Sequence, residues 1–210
     1  MTGRTRRDVV TARLVLATRN PHKVDELRRI LGDAGLAVQL VGMDAFPDVP
    51  DVAETGTTFA ENALLKAHAV AAATGLPSVA DDSGLCVDVL GGAPGVFSAR
   101  WSGRHGDDDA NLDLLLAQLR DVPDDRRGAH FACAAALALP DGVERVVEGR
   151  LTGSIVRARR GRNGFGYDPV FVPDGESLTT AELETEGKDA ISHRGRAFRG
   201  LVPHVRALLV

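Results

Sequence analysis

Short apolar runs and amphipathic stretches take turns along the chain, and their order predicts an α/β fold. Arg13–Ala17 (RLVLA) reads as a strand. It breaks at Thr18-Arg19-Asn20-Pro21, where Asn20 suits a helix cap and Pro21 the first helical position. The helix that follows carries Val24, Leu27, Ile30 and Leu31 on one face and stops near Gly32 or Gly35. Val38–Val41 reads as a second strand, and 46–56 as a polar loop holding Pro47 and Pro50. Thr58 and Glu61 form a capping box ahead of an Ala-rich helix that runs to about Thr74. Pro77–Ala80 is expected as a brief strand ending in Asp81-Asp82-Ser83-Gly84, with 85–104 irregular. Asp107–Leu119 reads as an amphipathic helix whose acidic start is a cap and solvated first turn. Ala129–Leu139 is apolar throughout and predicts a buried central strand. Val143–Val156 predicts strands or a hairpin, and 161–166 a loop before the strand Pro169–Val172. Asp189–Leu209 reads as helix with a kink or break at Pro203. The expected class is a mixed twisted sheet flanked by helices.

Composition narrows the class of partner. The 210 residues carry 44% hydrophobic and 26% charged positions, enough for one domain with a buried core. A net charge of −4 lacks the broad basic surface that long nucleic acid requires. A small phosphorylated ligand remains compatible, because a pocket can be basic inside an acidic protein. Cys86 and Cys133 show no paired-cysteine spacing, so neither a disulfide framework nor a zinc site is implied, and a reducing compartment is. Residues 1–12 are basic without an apolar core, which reads as a short leader before a single domain at 13–210 rather than a secretory signal. Apolar runs such as Phe131–Leu139 fall short of the ~20 residues a membrane span needs. The expectation is a cytoplasmic protein that meets neither membrane nor nucleic acid. Motifs GxxxxGK[ST], GxGxxG, GxSxG and HExxH do not occur.

Four polar constellations carry candidate chemistry. Thr18-Arg19-Asn20-Pro21-His22-Lys23 joins a strand to a helix start, where side-chain donors, helix N–H groups and a lysine ammonium suit phosphates. Glu54 and Asp82 offer carboxylates, the oxygen donors Mg²⁺ takes together with phosphate oxygens. Adjacent Asp81 and Asp82 point to opposite faces of a strand, so one is expected to face the site and the other to brace it. Asn62 and Lys66 lie four apart on one helix face beside Glu61, an amide and an ammonium positioned for one phosphate. Phe165 and Tyr167 alternate with glycines up to Asp168, a pattern that frees a ring for stacking beside a hydrogen-bonding acid. Lys188, His193 and Arg194 add donors that match an oxo group on a purine rather than an amino group.

Five stretches in order, 14–31, 54–67, 80–103, 164–173 and 188–197, closely resemble the inosine/xanthosine triphosphate pyrophosphatases. That resemblance implies an elongated two-lobed fold with its site in the cleft between lobes, a homodimer, and Mg²⁺-dependent hydrolysis of ITP, dITP and XTP to monophosphate and pyrophosphate. By position, Asp82 matches the family's catalytic carboxylate and metal ligand, and Glu54 the second metal ligand. Thr18 to Lys23 match its phosphate loop, and Asn62 and Lys66 further phosphate-facing groups. Ser83, Phe165, Gly166, Tyr167, Asp168, Lys188, His193 and Arg194 match substrate contacts, the later ones around the base. Arg19 stands where many relatives have Gly: either the loop needs no left-handed residue, or Arg19 adds a phosphate contact. A Maf-like pyrophosphatase acting on pyrimidine or modified nucleotides is the alternative, and a nucleotide sensor that does not cut is a more distant one.

Overall fold

The computed structural model describes residues 12–210, apart from the side chains at 21, 22, 185 and 186. The expected leader therefore lies outside the described residues, except that Ala12 already opens the first strand. In chain order the elements are β1 (Ala12–Leu16), α1 (Pro21–Asp33), β2 (Val38–Gly42), α2 (Phe59–Thr74), β3 (Ser78–Val87), α3 (Asp108–Gln118), β4 (Gly128–Ala138), β5 (Glu144–Ile155), β6 (Phe171–Pro173), α4 (Thr185–Ile191) and α5 (His193–Leu209). One six-stranded sheet has the order β2-β1-β3-β4-β5-β6. β1 runs parallel to both its neighbours, and the pairs from β3 to β6 are antiparallel.

This order dictates where the helices go. Crossovers between parallel strands are right-handed. The steps β1 to β2 and β2 to β3 go in opposite directions, so α1 and α2 cover opposite faces. Alternation along β4 shows both layers. Cys133, Ala135 and Leu137 pack with Leu27 and Leu31 of α1 and Phe198 and Leu201 of α5. Ala134, Ala136 and Ala138 pack with Ala63, Ala67 and Ala71 of α2. The α2 face is thus an alanine-on-alanine contact, which brings helix and sheet close together. α2 itself starts with the expected capping box, in which Thr58 accepts from Glu61 N and the Glu61 carboxylate reaches back to Thr58 N.

β3, β4 and β5 have 10, 11 and 12 residues, a span of roughly 33–40 Å at ~3.3 Å per residue. Their far halves carry a second core in which Leu85, Val87, Phe131, Leu151 and Phe171 meet Leu112 and Leu115 of α3. Arg127, fully buried, closes this end by donating to the carbonyls of Leu119 (2.6 Å), Ile155 (2.7 Å) and Val156 (3.2 Å). The two cores share the long strands, and residues 81–84 fall between them.

Several expectations need correction. β3 does not end at Ala80 but runs through Asp81-Asp82 to Val87, because β4 pairs with it along its whole length. The remainder of 85–104 contains 3₁₀ turns at Asp88–Leu90 and Gly95–Arg100. Val143–Val156 is one strand, β5, not a hairpin. β6 is shorter than expected, because Asp168–Val170 forms a 3₁₀ turn. α5 continues through Pro203, which lies on the exposed side. The break comes at Ser192 instead, whose Oγ accepts from Gly195 N at 2.9 Å and caps α5.

Candidate active site

β1 ends at Leu16, level with Val79 of β3, and β3 continues past it to Val87. The chain leaves β1 through Thr18–Asn20, held by Ala17 N to Val79 O (2.7 Å) and Met43 N to Thr18 O (3.4 Å). From Asp81 onward β3 is therefore paired with β4 alone among the described strands, and a notch opens at the C-terminal end of β1. Strand order reverses at β1, the position where open α/β sheets bind ligands. The crevice belongs to the end of β1 rather than to an end of β3. It also gives access to both faces of the sheet.

On the face covered by α1 and α5, Asp81 is the hub. Lys23 Nζ donates to both its oxygens (3.0 and 2.9 Å), Arg194 Nε to Oδ2 (3.0 Å) and Ser83 Oγ to Oδ2 (3.1 Å). Burial alone would raise the Asp81 carboxyl pKa, but Lys23, Arg194 and Lys66 outweigh it and hold the group well below the carboxylate range. Glu26, one helical turn after Lys23, lies 3.8 Å from Arg194 and accepts from Ser192 Oγ at 3.4 Å. Its burial outweighs Arg194 and raises its pKa. Arg194 is thus fixed between two acids. The Cys133 thiol nearby is pushed up to about 12 by burial and by Asp81, so it stays protonated.

On the face covered by α2, Asp82 accepts from Asn62 Nδ2 (3.1 Å) and Lys66 Nζ (3.3 Å). Lys66 also donates to Glu54 Oε1 (2.8 Å), and Arg100 to Glu54 Oε2 (3.4 Å). Burial would raise the Glu54 pKa, but Lys66 and then Arg100 bring it below the ordinary value. At Asp82, burial and the Glu54 charge prevail over Lys66, and the pKa is raised. Two hard-oxygen carboxylates that share a lysine, one of them raising the other's pKa, suit a divalent cation such as Mg²⁺. Among the described residues no group of three or more His, Cys, Asp or Glu forms a metal cage. A cation held here needs oxygens from elsewhere, which is the usual situation for Mg²⁺ bound with phosphates.

A third cluster flanks the Asp81 face. Phe165 is 58% exposed, with Lys188 Nζ 5.5 Å and Arg194 Cζ 6.0 Å from its ring centroid. Asp168 shapes this loop. It accepts from Phe165 N (2.8 Å), Thr180 Oγ1 (2.8 Å) and Lys188 Nζ (2.5 Å). Gly164 has φ +78°, and a Cβ there would meet the Asp168 carboxylate at 2.1 Å, so glycine is needed for the approach. Gly166 N donates to Asp108 Oδ2 (2.9 Å), which ties the loop to α3. His193 stacks on Phe131 with centroids 4.9 Å apart. Burial and then Arg194 hold its pKa well below the usual value, so it is neutral, and its buried Nδ1 has no hydrogen-bond partner.

The structure brings the sequence candidates together in an arrangement the sequence did not show. Lys23 and Lys66 approach the notch from opposite faces, each held by its own aspartate. Asn62 is fully buried and spends its amide on Asp82 and on Gly56 N (2.8 Å), so it positions the carboxylate instead of facing a ligand. Tyr167 likewise turns inward, and its hydroxyl donates to Ser98 O (2.9 Å). No described non-glycine residue has positive φ, so the loop needs no left-handed residue at Arg19. Its guanidinium reaches Asp51 Oδ1 (3.2 Å) and Val49 O (2.9 Å) and joins the β1–α1 loop to the loop before α2. Thr18 Oγ1 accepts from Asn20 N (3.2 Å). Pro21 and His22 open α1, with side chains outside the description. Sequence reasoning missed Glu26 and Arg100. The spacing of Glu26, three residues after Lys23 on one helix face, is a usable signal; Arg100 carries none.

Sheet order, notch and paired acids together define a class. The model of the Ham1 family matches residues 14–204, and the chain belongs to this family. A protein from Streptomyces avermitilis named dITP/XTP pyrophosphatase is 74% identical over 197 residues, covering 94% of this chain and 98% of that one. The crystal structure of a nucleoside-triphosphatase, dITP/XTP pyrophosphatase, from Mycobacterium abscessus is 57% identical, with TM-score 0.78 over 92% of this chain and 100% of that one. A HAM1 protein from Coxiella burnetii is 40% identical, with TM-score 0.86 over 94% and 100%.

Proposed function

We propose that this chain hydrolyses noncanonical purine nucleoside triphosphates (ITP, dITP and XTP) to the monophosphate and pyrophosphate, with Mg²⁺, and so clears them from the nucleotide pool of the cytoplasm. The carrying observation is the notch at the end of β1, reached by Lys23 from one face and by Lys66 with the Glu54–Asp82 pair from the other. The names of the relatives, dITP/XTP pyrophosphatase, support dITP and XTP among these substrates.

Glu54 and Asp82 would hold the Mg²⁺, which supplies charge neutralisation on the phosphate oxygens. Lys23 and Lys66 bind the phosphate chain by exchanging carboxylate oxygens for phosphate oxygens. Asp82, aligned by Asn62, accepts a proton from the water that attacks the α-phosphorus, and pyrophosphate leaves. Phe165 offers the base an exposed stacking face. Arg194 stands beside that ring, and the adjacent His193, stacked on Phe131, has a buried unpaired Nδ1; both are assigned to the base edge. Donors aimed at the oxo group at purine position 6 reject adenine, whose amino group there is itself a donor, and such sites discriminate by ~10⁴ or more.

The proposal includes a homodimer. Val89 and Phe97 support it as large apolar side chains left about half exposed on one segment. No helix among the described residues is long and apolar enough to cross a membrane. The test is pyrophosphate release from ITP, XTP, GTP, ATP and dTTP at alkaline pH, with and without Mg²⁺. Release confined to ITP and XTP and dependent on Mg²⁺ supports the reading. Release mainly from dTTP refutes it in favour of a pyrimidine-directed enzyme.

A further inference from the structure

The acidic turn that opens α3 does more than cap it. Asp107 is the cap, its Oδ1 accepting from Ala110 N at 3.2 Å. Asp108 and Asp109 serve the loop that carries Phe165. Asp108 Oδ2 accepts from Gly166 N at 2.9 Å. Asp109 and Asp113, four apart on one face of α3, share the Arg159 guanidinium. Its Nη1 donates to the Asp109 carboxylate, and its Nη2 to Asp113 Oδ1 (2.6 Å) and Asp109 O (3.1 Å). α3 is a firm base for these contacts, because its Leu112 and Leu115 are buried in the second core.

The loop depends on such a hold. Phe165 lies between Gly164 (φ +78°) and Gly166 (φ +60°), left-handed positions that shape the turn and supply no side chain to anchor it. The exposed ring fills no core, so its place is set by backbone N–H groups, Phe165 N on Asp168 and Gly166 N on Asp108. Earlier in the loop, Arg162 N and Asn163 N donate to Ala181 O (3.2 and 3.0 Å). The hydrogen bonds to α3 come from Arg159 and Gly166. Asp109 and Asp113 are 84% and 70% exposed, so these ion pairs add little to the stability of the fold. Their effect falls on the loop. We propose that Asp108 and Arg159 are positioning residues for base binding, which clamp the Phe165 loop to α3 before the nucleotide arrives. Without the clamp the ring is ordered only on binding, and affinity falls by that ordering cost. This rests on the reading of Phe165 as the stacking face for the base.

The test is calorimetric titration of the full chain with inosine monophosphate, and separately with inorganic pyrophosphate plus Mg²⁺. The proteins are wild type, Asp108→Ala, Arg159→Gln, Phe165→Ala and the double variant Asp108→Ala/Phe165→Ala. Inosine monophosphate should bind about 3- to 30-fold more weakly to Asp108→Ala and to Arg159→Gln, with pyrophosphate binding within about twofold of wild type. KM for ITP should rise by a similar factor with kcat nearly unchanged. In the Phe165→Ala background, Asp108→Ala should add less than about twofold, because its effect runs through the ring. Melting temperatures should stay within about 2 °C of wild type, as for surface substitutions. Arg159→Gln carries the test alone if Asp108→Ala does not fold. Unchanged inosine monophosphate affinity, an equal loss for pyrophosphate, or an undiminished effect of Asp108→Ala without the Phe165 ring each overturns the proposal. Unchanged affinity beside wild-type ITP hydrolysis sinks the clamp and leaves the proposed function standing. A wild type that neither binds inosine monophosphate nor hydrolyses ITP removes the proposed function, and the clamp with it.

Discussion

Asp81→Asn tests how far stability depends on the hub of the site. Asp81 is almost wholly buried and takes Lys23 on both oxygens, Arg194 on one and Ser83 on the same one. The two cations are themselves only 20% and 12% exposed. Asparagine keeps the shape but has one acceptor oxygen, and its amide hydrogens then point at Lys23 or Arg194. Stranding buried charges in this way costs ~3–5 kcal/mol. In a chain of 210 residues each kcal/mol moves Tm by about 2–4 °C, which gives a fall of roughly 6–20 °C. The assay is urea unfolding together with a thermal melt, on wild type, Asp81→Asn, Lys23→Met and the double variant. Because the residues touch, the double variant should be more stable than additivity predicts. Asp81→Asn within ~1 kcal/mol of wild type would refute the reasoning, since it would mean that water already screens this cluster.

Asp82→Asn should lower kcat by at least ~10²-fold while folding normally, and near-normal turnover removes Asp82 as proton acceptor. Phe165→Ala should raise KM for XTP about 5- to 100-fold with kcat nearly unchanged, as expected for the loss of one stacking face; a fall in kcat at constant KM would place the ring elsewhere in the reaction. The lowered His193 pKa makes a prediction in acid. The unfolded chain takes the proton first, near pH ~6.5, so this group's contribution is present above that pH and is lost as pH falls towards the folded pKa. The stability difference between wild type and His193→Leu should therefore shrink by up to ~1.4 kcal/mol per pH unit below about 6.5, and parallel pH dependences would show that His193 is not held neutral.

Local chemistry was legible in the sequence where it is local in fact. The capping box at Thr58 and Glu61, the buried run that became β4, and the opposed faces of Asp81 and Asp82 all follow from neighbours in the chain. The end of β3 was not legible, because Asp-Asp-Ser-Gly has turn character and only the pairing with Ala132–Ala135 of β4 keeps it extended. Tyr167 reads as a ligand contact beside Phe165, yet its partner Ser98 lies 69 residues away. The split of Lys23 and Lys66 between two faces depends on the order in which strands join the sheet, which no window of sequence contains.

The alanine layer under α2 acts as a gauge block for the chemistry. Lys66 and Asn62 sit on the helix, Asp82 on the sheet, and the thickness between them is set by Ala63, Ala67, Ala80 and Ala134, one methyl group each. A valine at any of these positions would lever the helix outward and lengthen every contact to Asp82 without touching a ligand. Misplacement by ~1 Å can cost ~10² in rate. Turnover in this protein is therefore adjustable from inside the core, by residues with no functional group of their own.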